Sequence, residues 1–319
     1  MDKPQWRHHS RNHAGACDFI GISKYDSSSE DLFRLHIPHQ FKRKIDFNNP
    51  NDPLLLQVIP TRYEHREDQS YSDDPVGDQQ ANKGKGIIHK YHGRVLLITT
   101  GSCAINCRYC FRRSYPYAVN NASANNWTQA LSYIKANDDI HEVILSGGDP
   151  LMLATKTLEK FSTQLQHIKH VKTLRIHTRM PIVTPTRITD NFLNWLHNLP
   201  FKKVMVLHSN HANELSSDLT NTFKSISATN TQLLNQSVLL KKINDNSQTL
   251  AQLSHRLFDF GILPYYLNQL DKVTGTQHFC VSNQQAKAIH KELLKILPGY
   301  LVPKLVVEIS GKEHKSPLF

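Results

Sequence analysis

The feature that most constrains this chain is the alternation that begins near Arg94. Short apolar, β-branched runs alternate with helix-length amphipathic segments. The candidate strands are VLLITT (95–100), EVILSG (142–147), TLRIHT (173–178), KVMVLH (203–208), SVLLKK (237–242), ILPYYL (262–267) and KLVVEI (304–309). Segments such as TQALSYIKA and QAKAIHKELLKIL lie between them. Strand–helix alternation predicts βαβ units and a parallel sheet. Near-continuous apolar strands suit a sheet covered on both faces. The expected class is α/β, a partial parallel (β/α) barrel, with an open doubly wound sheet as the competing topology.

Residues 1–88 read differently, as a mainly helical and loop extension before a barrel over 89–319. Ser27–Ser29 followed by Glu30 and Asp31 reads as a helix start leading into DLFRLHIPHQFKRKI. Pro50 and Pro53 precede the short run LLLQVIP, and a polar stretch from Glu67 to Lys85 reads as a loop. No run is long and apolar enough to span a membrane, and the first residues lack the apolar stretch of a signal peptide. The expected compartment is the cytoplasm. The formal charge of +11 favours anionic partners in general. No basic run with interleaved aromatics accompanies it, so nucleic acid is not the expected partner.

In a parallel barrel, chemistry sits at the C-terminal ends of the strands. The unusual residues fall there. The first barrel strand runs into Cys103, Cys107 and Cys110, and the next into Gly147–Gly148–Asp149. A later one runs towards Asp271, and the last into Glu308 and Lys315. Three cysteines within eight residues point to metal or catalysis rather than to a disulfide framework. Three thiolates can hold three irons of a [4Fe–4S] cluster and leave the fourth iron open, whereas electron-transfer clusters use four cysteines. A zinc site is the alternative. It would need a fourth ligand such as His89 or His92. Cys17 and Cys280 have no partner at ligand spacing and read as ordinary thiols.

Cys103-x-x-x-Cys107-x-x-Cys110, with Tyr109 before the last cysteine, resembles the signature of the radical S-adenosylmethionine (radical SAM) superfamily. LSGGDP (145–150) is similar to the glycine-rich segment that contacts the methionine amino group there. The resemblance implies that the open iron is chelated by S-adenosylmethionine, whose reductive cleavage yields a 5′-deoxyadenosyl radical. Further blocks narrow it: HKYHGRVLLITTGSCAINCRYCFRRSYPY (89–117), EVILSGGDPLML (142–153), RIHTRMPIVTPTRIT (175–189), NQSVLLKKIND (235–245), PYYLNQLDKVTGTQHF (264–279) and GYLVPKLVVEISGKEHKSPL (299–318). These resemble the lysine 2,3-aminomutase family, and within it the short bacterial branch that makes β-lysine for modification of elongation factor P.

That resemblance implies pyridoxal 5′-phosphate (PLP) as a further cofactor, with Lys315, before Ser316 and Pro317, as its covalent anchor. It implies free lysine as substrate, with Arg112 on the α-carboxylate and Asp271 and Glu308 on the distal ammonium. The larger aminomutases carry aspartate where Glu308 stands. Tyr91, Arg94, Asn235 and Gln236 sit in matching blocks and are expected to contact PLP or S-adenosylmethionine, as are Gly147, Gly148 and Asp149. The functional link implied is to elongation factor P and its lysyl ligase. The sequence ends two residues after Pro317, where the larger aminomutases continue into a tail with metal-binding cysteines. Intersubunit zinc sites are therefore not expected, and a homo-oligomer is left open. The competing enzyme class is a radical SAM enzyme that modifies RNA.

Overall fold

In the computed structural model, residues 24–318 are described. Their centre is a single nine-stranded sheet whose spatial order follows the chain, β1 to β9. The strands are β1 (Ile87–Tyr91), β2 (Arg94–Ile98), β3 (Glu142–Ser146), β4 (Thr173–Thr178), β5 (Lys202–His208), β6 (Thr231–Val238), β7 (Leu263–Asn268), β8 (Lys304–Val307) and β9 (Ser316–Pro317). From β2 to β8 every neighbouring pair is parallel. An antiparallel strand is added at each edge, β1 on β2 and β9 on β8. The two edges do not pair, so the barrel is partial.

The crossovers carry the helices. In the barrel they are α3 (Thr128–Ala136), α4 (Thr155–Leu165), the short α5 (Met180–Val183), α6 (Asp190–His197), α7 (Thr220–Ser227), α8 (Ser247–Asp259) and α9 (Asn283–Ile296). Several have caps that fix where they begin. Thr189, Asn246 and Ser282 each accept a bond from a first-turn backbone N–H, satisfying donors that would otherwise be lost at the helix start. Their apolar stripes then face the sheet at helical spacing, for example Leu250, Leu253 and Leu257 on α8 and Ala286, Ile289 and Leu293 on α9.

Strand alternation sends the other face inward. On β4, Leu174 and Ile176 are buried against the helices while Arg175 and His177 point into the barrel. The same period places Arg94 and Leu96 on β2, Ile144 and Ser146 on β3, Gln236 and Val238 on β6, and Tyr266 and Asn268 on β7 around one interior.

Three expectations change. The strand expected at 237–242 lies at Thr231–Val238. TQLLNQSV has inward polar residues that break an apolar run. Leu239 and Leu240 instead belong to the turn after it, where Lys242 takes a positive φ of 65°. The helix start at Ser27 is present, capped by Asp26, but α1 ends at Leu32 and only α2 (His39–Lys42) follows before Lys44. Pro38 and the preceding extended backbone interrupt it. The described extension is therefore mostly turns. It is also not separate. Residue 88 lies inside β1, and Leu35, Phe41, Leu54 and Val58 share one buried cluster with Val95 and Leu145.

Candidate active site

The barrel mouth encloses a cavity of about 320 Å³. Its lining includes Cys103, Cys107 and Cys110 from the loop after β2, and Asp271, Glu308 and Lys315 from the segments after β7 and β8.

The cysteines sit on the loop after β2. This loop is pressed against the end of β3 by main-chain bonds from Gly148 N to Thr100 O (2.7 Å) and Asp149 N to Ser102 O (2.8 Å). A Cβ at Gly148 would stand 2.3 Å from Ser102 O, and Gly147 has a φ of 122°. The glycines are thus required by the approach of two backbone segments as well as by any ligand. Gly148→Ala is expected to displace the cysteine loop, reduce bound iron, and cost about 1–3 kcal/mol in stability. Iron analysis and a denaturation midpoint measure both effects.

Burial pushes the Cys110 thiol up to about 11, with Cys107 adding to the effect, and burial also holds the Cys103 thiol well above its ordinary value. Iron binding here must displace thiol protons. Among the described residues no three His, Cys, Asp or Glu side chains gather to hold a single metal ion. His89 bonds to Tyr133 OH, His92 faces Asp139, and neither lines the cavity. A cluster that takes one thiolate per iron suits three thiols that line one cavity without converging on a single ion.

Asp149 lines the cavity, but its carboxylate is committed to the end of β4. It accepts from Thr178 Oγ1 (2.8 and 2.9 Å), Arg179 N (2.8 Å) and Leu151 N (2.9 Å). Its role in the chain is to join the ends of β3 and β4. Asn235 does not line the cavity. Its amide bonds Ser209 N, Ser209 O and Ser237 Oγ, tying β6 to the loop after β5. Gln236, one residue on, has the inward position. Tyr91 and Arg94 both line the cavity, the guanidinium 4.8 Å from the ring centre.

The expected substrate and PLP residues are linked by two that the sequence did not single out, Asp78 and Lys90. Arg112 Nε donates to Asp78 Oδ2 at 2.7 Å, and its NH1 to Ser146 Oγ at 3.3 Å. Lys90 Nζ lies 2.6 Å from Asp78 Oδ1 and 2.9 Å from Glu308 Oε1. Lys315 Nζ contacts Glu308 Oε2 at 2.7 Å and Asn268 Oδ1 at 3.1 Å. An alternating row of charges therefore bridges the open barrel edges. Burial raises the Glu308 carboxyl, but Lys315 and Lys90 outweigh it and hold it down to about 2. Asp271 differs. Burial pushes it up to about 7, and Lys315 offsets only part of the shift. It is the carboxyl in this group that lacks a matched cation.

His177 and His208 also line the cavity, and each has a buried Nε2 without a partner among the described residues. Burial, then the positive charges of Arg175 and Arg112, hold His177 well below its ordinary value, so the imidazole is neutral. Burial lowers His208 to about 4. Unspent hydrogen-bonding capacity on a cavity wall is what a ligand site presents before binding. The period-2 pattern of RIHT was the available sequence signal for Arg175 and His177. Nothing local marked Asp78 or Lys90, which reach the site from the polar loop and from an edge strand.

An open parallel barrel with three thiols on the loop after its first parallel strand defines a radical SAM enzyme, and the family model for the Radical SAM superfamily matches residues 97–206. The chain is 46% identical over 291 residues to the L-lysine 2,3-aminomutase of Escherichia coli, covering 91% of this chain and 85% of that one. It is 46% identical to that of Haemophilus influenzae, covering 91% and 86%, and 33% identical to that of Clostridium subterminale, covering 89% and 68%. The chain belongs to the lysine 2,3-aminomutase family, whose members are isomerases.

Proposed function

We propose that this protein converts free α-lysine to β-lysine by moving the amino group from C2 to C3, with a [4Fe–4S] cluster, S-adenosylmethionine and PLP. The observation that carries the reading is the placement, in one cavity, of three cluster-type thiols and a lysine flanked by carboxylates.

The donor set fits PLP. Lys315 supplies an amine inside the cavity, 6.0 Å from the centre of the Tyr266 ring. Arg94 supplies positive charge for a phosphate, Arg175 faces the same cavity with its guanidinium paired to Glu142, and the open Nε2 of His177 supplies a neutral hydrogen-bonding group. When bound, PLP carries the migrating nitrogen and stabilises an adjacent radical. The chain's own residues bind and orient. Cys103, Cys107 and Cys110 hold the cluster, with Gly147 and Gly148 shaping the seat beside it. Arg112, fixed by Asp78 and Ser146, takes the substrate carboxylate. Tyr91, Arg94 and Gln236 complete the cofactor walls.

The distal ammonium falls to Asp271 and Glu308. Glu308 is already matched by Lys90, so Asp271 carries the larger share. Removing it leaves a buried ammonium underpaired, a loss of about 3 kcal/mol or on the order of a hundredfold in kcat/KM. Asp271→Asn is therefore expected to lose lysine turnover while uncoupled S-adenosylmethionine cleavage persists. Protonation gives the same site a pH signature. Burial pushes the Asp271 carboxyl up to about 7, so below that pH it is neutral and attracts the ammonium weakly. Lysine affinity should rise as pH increases through about 7, a trend absent from Asp271→Asn. A flat affinity profile in the wild-type protein would remove Asp271 from the binding role.

The resemblance to the short bacterial branch supports elongation factor P as the destination of the product, reached through a lysyl ligase. Modification of RNA is not favoured, because such an enzyme has no use for Lys315 beside Asp271 and Glu308. No described helix is long and apolar enough to cross a membrane.

A further inference from the structure

Arg179 lines the cavity beside Cys107. Its NH1 donates to Cys107 Sγ at 2.7 Å and to Tyr109 OH at 3.0 Å. Its NH2 donates to Gln57 Oε1 at 2.9 Å and to Glu214 Oε2 at 2.8 Å. The plane lies 5.3 Å from the Phe41 ring centre, and Asp149 fixes the residue's backbone N–H. The side chain is 6% exposed and that of Glu214 is 0% exposed. The Nε–H is buried and has no partner among the described residues, which leaves one donor of this cation unspent there in the wall of the cluster seat.

Such a pair is expensive as packing. Burying a guanidinium and a carboxylate costs several kcal/mol per ion before their attraction is counted, and apolar residues of the same volume fill a core as well or better. The expense has a different return beside a cluster. Hydrogen bonds to the sulfurs and nearby charge are the protein's means of setting an iron–sulfur reduction potential.

We propose that Arg179 is a positioning residue that raises the reduction potential of the cluster held by Cys103, Cys107 and Cys110, acting through its hydrogen bond to the Cys107 sulfur. In the redox step, one electron passes from an external low-potential one-electron reductant onto the oxidised cluster, and no bond forms or breaks. The electron adds negative charge to a unit already made negative by three thiolates. A guanidinium donating to one of those sulfurs stabilises the reduced form more than the oxidised form. Glu214 acts in the opposite sense, because its charge partly cancels the guanidinium while holding it in place. The inference rests on the cluster reading of the three cysteines and is independent of PLP and of the substrate.

The test is a redox titration of anaerobically reconstituted protein, following the reduced cluster by its paramagnetic resonance, with iron and sulfide content measured on each sample. Arg179→Gln removes the charge and should move the midpoint to a more negative potential. Arg179→Lys keeps a cation without the planar fork and should fall between that variant and wild type. Glu214→Gln leaves the guanidinium uncompensated and should move the midpoint to a more positive potential. A purely structural role would lower cluster occupancy without shifting the midpoint in opposite directions. Cluster-loaded Arg179→Gln and Glu214→Gln proteins that both titrate at the wild-type potential would overturn the proposal. If Arg179→Gln holds no iron, Glu214→Gln decides alone, and a wild-type midpoint there overturns it equally. Wild-type protein that takes up no iron would refute the cluster reading instead.

Discussion

Cys107→Ala protein reconstituted with iron and sulfide under anaerobic conditions is expected to hold no stable cluster and to reduce S-adenosylmethionine cleavage to background. The three thiols have distinct neighbours but one function. In the proposed cluster each thiolate ligates a separate iron, and among the described residues no other cysteine lines the cavity. His89 and His92 are turned away from the cavity, and Cys280 packs beside Tyr109 and Phe279 with its thiol towards Val281 O. Cys103→Ala and Cys110→Ala should behave like Cys107→Ala. Cys280→Ala should retain about four irons per chain, the content of an intact cluster. Cys17 lies outside the described residues, and its substitution is likewise expected to leave the cluster in place. Iron and sulfide analysis with detection of 5′-deoxyadenosine checks the series. Full activity in Cys107→Ala would remove the basis of the assignment.

Lys315→Ala should have an equally complete effect on the PLP site. The covalent attachment of PLP and its absorbance band should vanish, together with lysine turnover, while iron content is unchanged. The two outcomes separate because Lys315 makes its contacts with Glu308 and Asn268, not with the cysteine loop. Glu308 keeps Lys90 as a counter-ion in the variant, so the loss should not leave that carboxylate unpaired. Borohydride reduction of PLP-loaded wild-type protein followed by peptide mapping should label Lys315. Lys304 and Lys312 are exposed and do not line the cavity. Label on either would show that the anchor had been misplaced, with the family unaffected.

The parts of this structure that could be read from the sequence are those where one local pattern has one structural solution. Apolar β-branched runs between amphipathic segments specify parallel strands with helical crossovers, and most of those strands lie where expected. The cysteine spacing and LSGGDP fall at successive strand ends for the same reason. Strand β6 was displaced because Asn235 and Gln236, which serve the barrel interior and its rim, interrupt the apolar run by which strands are recognised. Period 2 would have predicted their opposite fates, one turned into the wall and one into the cavity. Asp78 and Lys90 had no such signal. Each is an ordinary charged residue until the chain closes the gap between β1 and β8, and their pairing depends on contacts across more than two hundred positions in the case of Lys90 and Glu308. The commitment of the Asp149 carboxylate to the end of β4 is also a product of tertiary packing. The same is true of Arg179, whose meeting with Cys107 spans two crossovers.

In the proposed reaction the cluster and the carboxylates of the cavity act on one substrate, lysine. The most direct measurement is conversion of isotopically labelled α-lysine by wild-type protein with full cluster and PLP, reduced anaerobically in the presence of S-adenosylmethionine. Labelled β-lysine should accumulate, and Asp271→Asn protein with the same cofactor content should form at least an order of magnitude less, given the cost of leaving the ammonium underpaired. Wild-type protein that forms no β-lysine but isomerises glutamate would contradict the assignment of Asp271 and Glu308 to the substrate ammonium, and with it the identity of the substrate.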